Sequence, residues 1–180
     1  MASANDSTTI IFNAGMHTEF YKEIQRDSAG ILRTFDSAPT IGAGYVYSWI
    51  DDFKILPEIN WVLPRKAGER IVKNLFMFRG DVGYSPIDIL RMRLGTSVMW
   101  LNQQGGGGSS EINNGNGTST FYYPDENRSS FNTTLDLGVE LLLSSLALRL
   151  QTYIYAPFKE ERRQLSYTLF LSYYWDKGSP

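Results

Sequence analysis

The chain has 180 residues, a formal net charge of −2, 42% hydrophobic and 14% aromatic residues, and no cysteine. It is too apolar to be disordered and too near neutrality to bind nucleic acid or an anionic surface by charge alone. Disulfide, thiol and thiolate-zinc chemistry are excluded. The length suits a single domain, 1–180, built around one closed sheet.

No stretch reaches the roughly 18 consecutive apolar residues that a membrane helix needs. The opening residues, Met1 to Asp6, lack the basic start and apolar run of a signal peptide. A mature chain whose leader is absent begins in this way.

The informative signal is a period of two, which recurs in eight segments. In the first, about 8–22, Ile10, Phe12, Ala14, Met16 and Phe20 alternate with Asn13, Gly15, His17 and Glu19. The second, about 38–50, sets Ile41, Ala43, Tyr45, Tyr47 and Trp49 against Thr40, Gly42, Gly44 and Ser48. The third, about 53–65, sets Phe53, Ile55, Ile59, Trp61 and Leu63 against Lys54, Glu58 and Asn60. In the fourth, about 70–84, Phe76, Phe78, Val82 and Tyr84 oppose Lys73, Arg79 and Asp81.

The fifth, about 88–102, has Leu90, Met92, Leu94, Val98 and Trp100 opposite Arg91, Arg93, Gly95 and Ser97. The sixth, about 130–144, alternates Phe131, Leu135, Leu137, Val139, Leu141 and Leu143 with Asn132, Asp136 and Glu140. The seventh, about 146–157, has Leu146, Leu148, Leu150 and Ile154 against Arg149 and Gln151. The last, about 164–176, has Leu165, Tyr167, Leu169, Leu171, Tyr173 and Trp175 against Gln164, Ser166, Thr168 and Ser172. Each is longer than the roughly 9–11 residues a tilted strand needs to cross a bilayer.

The connections alternate in length. Asp51 and Asp52, then Ser85, Pro86 and Ile87, then Ser144 and Ser145 read as short turns. The stretches at about 23–37, 65–69, 103–129 and 158–163 read as longer loops, which leaves both chain ends on the short-turn side. Short turns on one rim and long loops on the other suit an eight-stranded, antiparallel, up-and-down barrel, about 8–176.

Alternation alone fits a soluble barrel as well as a membrane one; three observations favour the membrane. Trp49 and Trp175 fall near the short-turn rim and Trp61 and Trp100 near the loop rim. With Tyr47, Tyr173 and Phe53 they make two aromatic belts at headgroup level. Second, eight strands leave an interior only just wide enough for side chains. The apolar face, with its tryptophans and leucines, would overfill that space; the face rich in glycine, serine and threonine fits it. Third, the polar face carries Glu58, Arg79, Asp81, Arg93, Asp136, Glu140 and Arg149 near strand centres, with Lys54 and Lys73 toward ends. Mixed signs in a narrow lumen read as paired charges, because an unpaired buried charge is costly.

So arranged, residues of about 8–176 resemble the small bacterial outer-membrane β-barrels of the OmpA-transmembrane and OmpX kind. The last strand carries the most specific likeness: Tyr167, Leu169, Leu171, Tyr173 and Trp175 alternate toward a final aromatic. That pattern is similar to the signal read by the barrel-assembly machinery, although here five residues follow the aromatic. The resemblance implies an outer-membrane location, periplasmic short turns, extracellular loops, and partners among outer-membrane lipids and lipopolysaccharide. A homo-oligomer is a further possible partner, and no cofactor is implied.

The functional expectation is a non-enzymatic membrane component with a structural, lipid-organising or surface-display role and a plugged, charged lumen. A small porin-like channel and a lipid-modifying enzyme are the alternatives. Were the lumen wet, Arg79, Arg93, Arg149, Asp136 and Glu140 would govern ion selection. His17, the only histidine, shares a face with Glu19 but lacks the histidine-x-serine spacing of barrel deacylases. It reads as a lumen or rim residue, and a lone histidine makes a histidine-rich metal site improbable. The loop of 103–129, with four successive glycines, an Asn-Gly run and Phe121, Tyr122 and Tyr123, reads as a flexible surface loop. Pro57 sits inside the third strand, where its missing donor calls for a bulge or bend.

Overall fold

The computed structural model describes residues 8–26, 32–50, 52–66, 71–113, 115, 117–122, 127–158 and 163–177. Met1 to Asp6, Asp51, Asn114, Asn116, Tyr123 and the last three residues lie outside the described residues. So do the side chains of Phe20, Trp49, Phe121 and Tyr122.

The strands are β1 (Thr8–Arg26), β2 (Leu32–Ile50), β3 (Phe53–Lys66), β4 (Ile71–Ile87) and β5 (Leu90–Gly105). They continue with β6 (Ser109–Asn113), β7 (Thr118–Tyr122), β8 (Arg128–Leu143), β9 (Leu146–Tyr155) and β10 (Gln164–Lys177). Eight of them close into a barrel in the order β1-β10-β9-β8-β5-β4-β3-β2, every neighbour antiparallel. The eight barrel strands correspond to the eight alternating segments, so the up-and-down reading holds. A closed sheet leaves no edge running the length of the wall, which is what hydrocarbon requires of a spanning sheet.

The short turns are tight. Ser144 takes a left-handed φ of 60°, as a two-residue hairpin between twisted strands demands of its first residue. Backbone bonds from Leu142 N–H to the Ile89 carbonyl (2.8 Å) and from Tyr174 N–H to the Ser145 carbonyl (2.7 Å) tie each turn to a neighbouring strand. The second turn is displaced from its expected place. It falls at Asp88 and Ile89, because the ladder of β4 and β5 shifts register between Tyr84 and Ile87 and resumes at Ile87 opposite Leu90. Pro86, which has no N–H to donate, lies inside that irregularity.

The strands also outrun the apolar pattern. β1 continues to Arg26 and β2 begins at Leu32, so most of the expected loop of 23–37 is hairpin. Alternation of apolar residues stops where lipid stops, but hydrogen bonding does not. Part of the 103–129 loop is likewise a hairpin: β6 and β7 pair from Ser109 opposite Tyr122 to Asn113 opposite Thr118. Its turn contains Gly115 and Gly117, both at positive φ. Pro57 produces a gap rather than a bulge: Gly44 pairs with Glu58 and Tyr47 with Ile55, with the positions between unpaired and the register unchanged.

The barrel is inside out relative to a soluble one. Phe12, Ile41, Ile59, Phe78, Leu94, Leu137, Leu150 and Leu171 point outward and are exposed, while Asn13, Glu58, Arg79, Arg93, Asp136, Arg149 and Ser172 are buried in the lumen.

Candidate functional site

The lumen is layered. At mid-depth, three guanidiniums converge on one carboxylate. Glu58 of β3 accepts from Arg79 of β4 at 2.6 Å, from Arg93 of β5 at 2.5 Å, and from Arg149 of β9 at 2.6 and 3.0 Å. Asn13 of β1 adds a fourth donor at 2.8 Å. Asp81 lies 3.4 Å from Arg79 and 3.0 Å from Arg93, spreading the positive charge over a second carboxylate. Arg149 also lies over the Phe170 ring, 4.3 Å from its centroid. All of these side chains are buried.

Glycines make the room for this crowd. A Cβ on Gly44 would run into the Glu58 side chain, and one on Gly95 into Asp81. The small residues of the polar face are therefore the floor on which the long ionic ones lie.

Toward the short-turn rim, Glu140 accepts from Arg91 at 3.1 Å and from the Tyr174 hydroxyl at 2.5 Å, with Arg93 at 3.9 Å. Asp136 is buried as expected, yet it stands apart from the arginines. It accepts from the hydroxyls of Thr134 at 2.5 Å and Ser97 at 3.3 Å, and no salt bridge joins it among the described residues.

Above the central charges comes an apolar layer: Ala38, Val62, Leu75, Met77, Met99 and Tyr153, with Leu101 and Tyr155 against it. Above that, at the loop-side mouth, four charges interlock. Arg65 bonds Asp36 at 2.6 Å and Glu19 at 2.8 Å, and Lys73 bonds Glu19 at 2.8 Å and Asp36 at 3.0 Å. Sequence reasoning missed this quartet because Asp36 fell in an expected loop and Arg65 at a strand end. The charges become neighbours only because β1 and β2 extend past the membrane.

The quartet lies on the loop side of the Trp61 and Trp100 belt and is open to titration. Burial works against the Glu19 carboxylate, but His17, Lys73 and Arg65 outweigh it and hold the group well below its ordinary 4.5. Asp36, also opposed by burial, is held below 3.8 by Arg65 and Lys73; Lys73 is raised above 10.5 chiefly by Glu19, against burial. Depressed carboxyl values mean stability that is complete above 4.5 and drains away as pH falls through the folded values. A raised lysine means stability complete below 10.5 and lost above it. Urea midpoints measured against pH should therefore fall on the acid side, and Glu19→Gln with Asp36→Asn should flatten that limb.

On the outside, Trp61, Phe76, Trp100 and Phe131 form one ladder across four strands. Their centroids are spaced 5.8, 5.6 and 5.8 Å, with the first and last pairs nearly parallel. Phe53 and Tyr84 meet at 5.0 Å near the other rim, where Tyr47, Tyr173 and Trp175 are also exposed. Among the described residues aromatic side chains thus gather near both rims, and Phe76 and Phe131 are ones the sequence reading did not single out. The Trp49 side chain lies outside the described residues.

His17 faces the lumen and is wholly buried. Its Nδ1 is 2.8 Å from the Thr168 hydroxyl and its Nε2 is 3.8 Å from Glu19. A hydroxyl, an imidazole and a carboxylate thus do meet, but across the β1 and β10 ladder rather than within one local motif. Thr168 is buried as completely as His17. Among the described residues no group of His, Asp and Glu side chains is placed to hold a metal ion.

The same architecture recurs in solved structures. OprG from Pseudomonas aeruginosa, an outer membrane protein, matches 94% of this chain and 96% of its own at a TM-score of 0.53 and 12% identity. The outer membrane protein Ail of Yersinia pestis, in a phospholipid bilayer nanodisc, matches 94% of this chain and 100% of its own at 0.52 and 10% identity. Ail in complex with the heparin analogue sucrose octasulfate matches 94% and 97% at 0.51 and 9% identity. The chain has the fold of the small outer-membrane β-barrels. No family model and no curated protein matches its sequence. At these identities the likeness concerns the fold alone.

Proposed function

We propose that the protein is a non-enzymatic integral component of the outer membrane, with a plugged lumen, that organises lipid or displays its loops. The convergence of Arg79, Arg93 and Arg149 on Glu58 carries this reading. It fills the middle of a barrel that is already narrow, and a permeating ion would have to part buried charges that hold one another. The burial of His17 and Thr168 supports the absence of catalysis. Its partners on this reading are outer-membrane lipids and lipopolysaccharide, the barrel-assembly machinery, and copies of itself.

Planar bilayers containing the folded protein should show no discrete conductance steps. Stable steps whose ion selectivity changes in Arg93→Ala would establish the channel instead.

A further inference from the structure

Among the described residues the barrel wall is incomplete between β8 and β9. β9 is only 10 residues long, and its ladder with β8 ends where Thr134 faces Tyr155. Ala156 then takes a left-handed φ of 44°, and Pro157 has no N–H to continue a ladder. Residues 128–133 of β8 still pair with β5 on one side, from Gln103 opposite Arg128 to Val98 opposite Thr133. On the other side they have no strand partner among the described residues. All six are exposed, on the lumen side as well as the lipid side, and the buried alternation resumes at Thr134.

A cavity of about 1070 Å³ wraps this free edge. Inside the barrel it touches Leu75, Met99, Leu101 and Tyr155, with Glu19 and Lys73 of the mouth quartet also on its wall; outside it touches Val98 and Leu135. One continuous space thus joins the apolar layer of the lumen to the lipid-facing surface. Its size is that of sites for small organic ligands.

We propose that this space holds one acyl chain of a lipid from the outer leaflet, which enters sideways through the gap between β8 and β9. The mouth includes Phe131, the last ring of the loop-side aromatic ladder, and so lies where headgroups meet chains. Unpaired backbone groups are poorly tolerated in hydrocarbon. Arg128, Ser129, Ser130 and Asn132 give the edge a polar character suited to headgroup and ester oxygens. The inner end meets the apolar side chains of Leu75, Met99 and Leu101, between Glu19 and Lys73 at the mouth and the hydroxyls of Ser97 and Thr134, and the Glu58 charges take no part in its lining. The proposal rests on the lipid-facing reading of the exterior.

Four methionines report on it directly. Met16 and Met92 are on the outer surface, whereas Met77 and Met99 are wholly buried in the lumen. With methyl-labelled methionine, the full chain is folded in deuterated detergent and given protonated dipalmitoyl phosphatidylethanolamine. Nuclear Overhauser contacts from lipid methylenes are expected at Met16, Met92 and Met99. Leu101→Trp, which fills the cavity, should abolish the Met99 contact and leave Met92 unchanged. Contacts at Met16 and Met92 alone overturn the proposal, without needing the variant to fold. A Met99 contact seen with hexadecanoic acid but not with the phospholipid overturns the lipid as source. Absence of contacts at Met16 and Met92 as well would overturn the lipid-facing reading itself, a distinguishable failure.

Discussion

Glu58→Ala is expected to destabilise the folded barrel by about 3–5 kcal/mol, measured as urea unfolding in micelles or vesicles. The carboxylate is the meeting point of Arg79, Arg93 and Arg149, and all four side chains are shielded from solvent. Removing it leaves three guanidiniums facing one another, with Asp81 close to Arg79 and Arg93 and Glu140 3.9 Å from Arg93. The loss is of a partner, and an uncompensated buried charge is far more costly than the net value of an intact pair. Glu58→Gln keeps the shape and some acceptor capacity, so it should be destabilised less than the alanine variant. Pairing Glu58→Ala with Arg149→Met should recover part of the loss, because one of the stranded charges goes with it. Additive losses in that double variant would show that the two groups do not act as a unit.

Leu137→Arg should cost about 2–4 kcal/mol in a lipid bilayer, while Leu143→Arg, beside a short turn, should cost about 0–1. Leu137 is on the outer face of β8, between Phe131 of the loop-side belt and the turn at Ser144. The depth dependence is the diagnostic part. If the apolar face met water, arginine would be tolerated equally well at both positions. Vesicle unfolding of the two variants therefore tests which way the barrel faces, independently of any likeness to other proteins.

Much of the architecture is written locally. Eight runs of period two, the turn at Ser144 and Ser145 and the contrast of short and long connections are properties of neighbouring residues. The pleat of a strand converts alternation directly into two faces. The bulk of Trp61, Trp100 and Trp175 against the glycines of the other face decides which face can be enclosed by eight strands. For the same reason the charged residues could be assigned to the lumen before any contact was known.

Their pairing could not. Glu58 and Arg149 are 91 residues apart and sit on β3 and β9, which share no ladder. They meet because the closed sheet brings opposite walls within reach, at a height set by the register of every ladder between them. The same holds for Asp136, which closure places beside Ser97 and Thr134 instead of an arginine. It holds for the Glu19, Asp36, Arg65 and Lys73 quartet, whose strands extend beyond the apolar pattern.

By itself, then, the sequence determined that this protein is a two-faced, eight-stranded sheet with its apolar side outward, because alternation, turn chemistry and side-chain volume are local. Only the tertiary structure decided the layering of the lumen, the burial of His17 against Thr168, and the gap beside β8. Those depend on where each strand stops relative to its neighbour, and on what the opposite wall of a closed barrel presents.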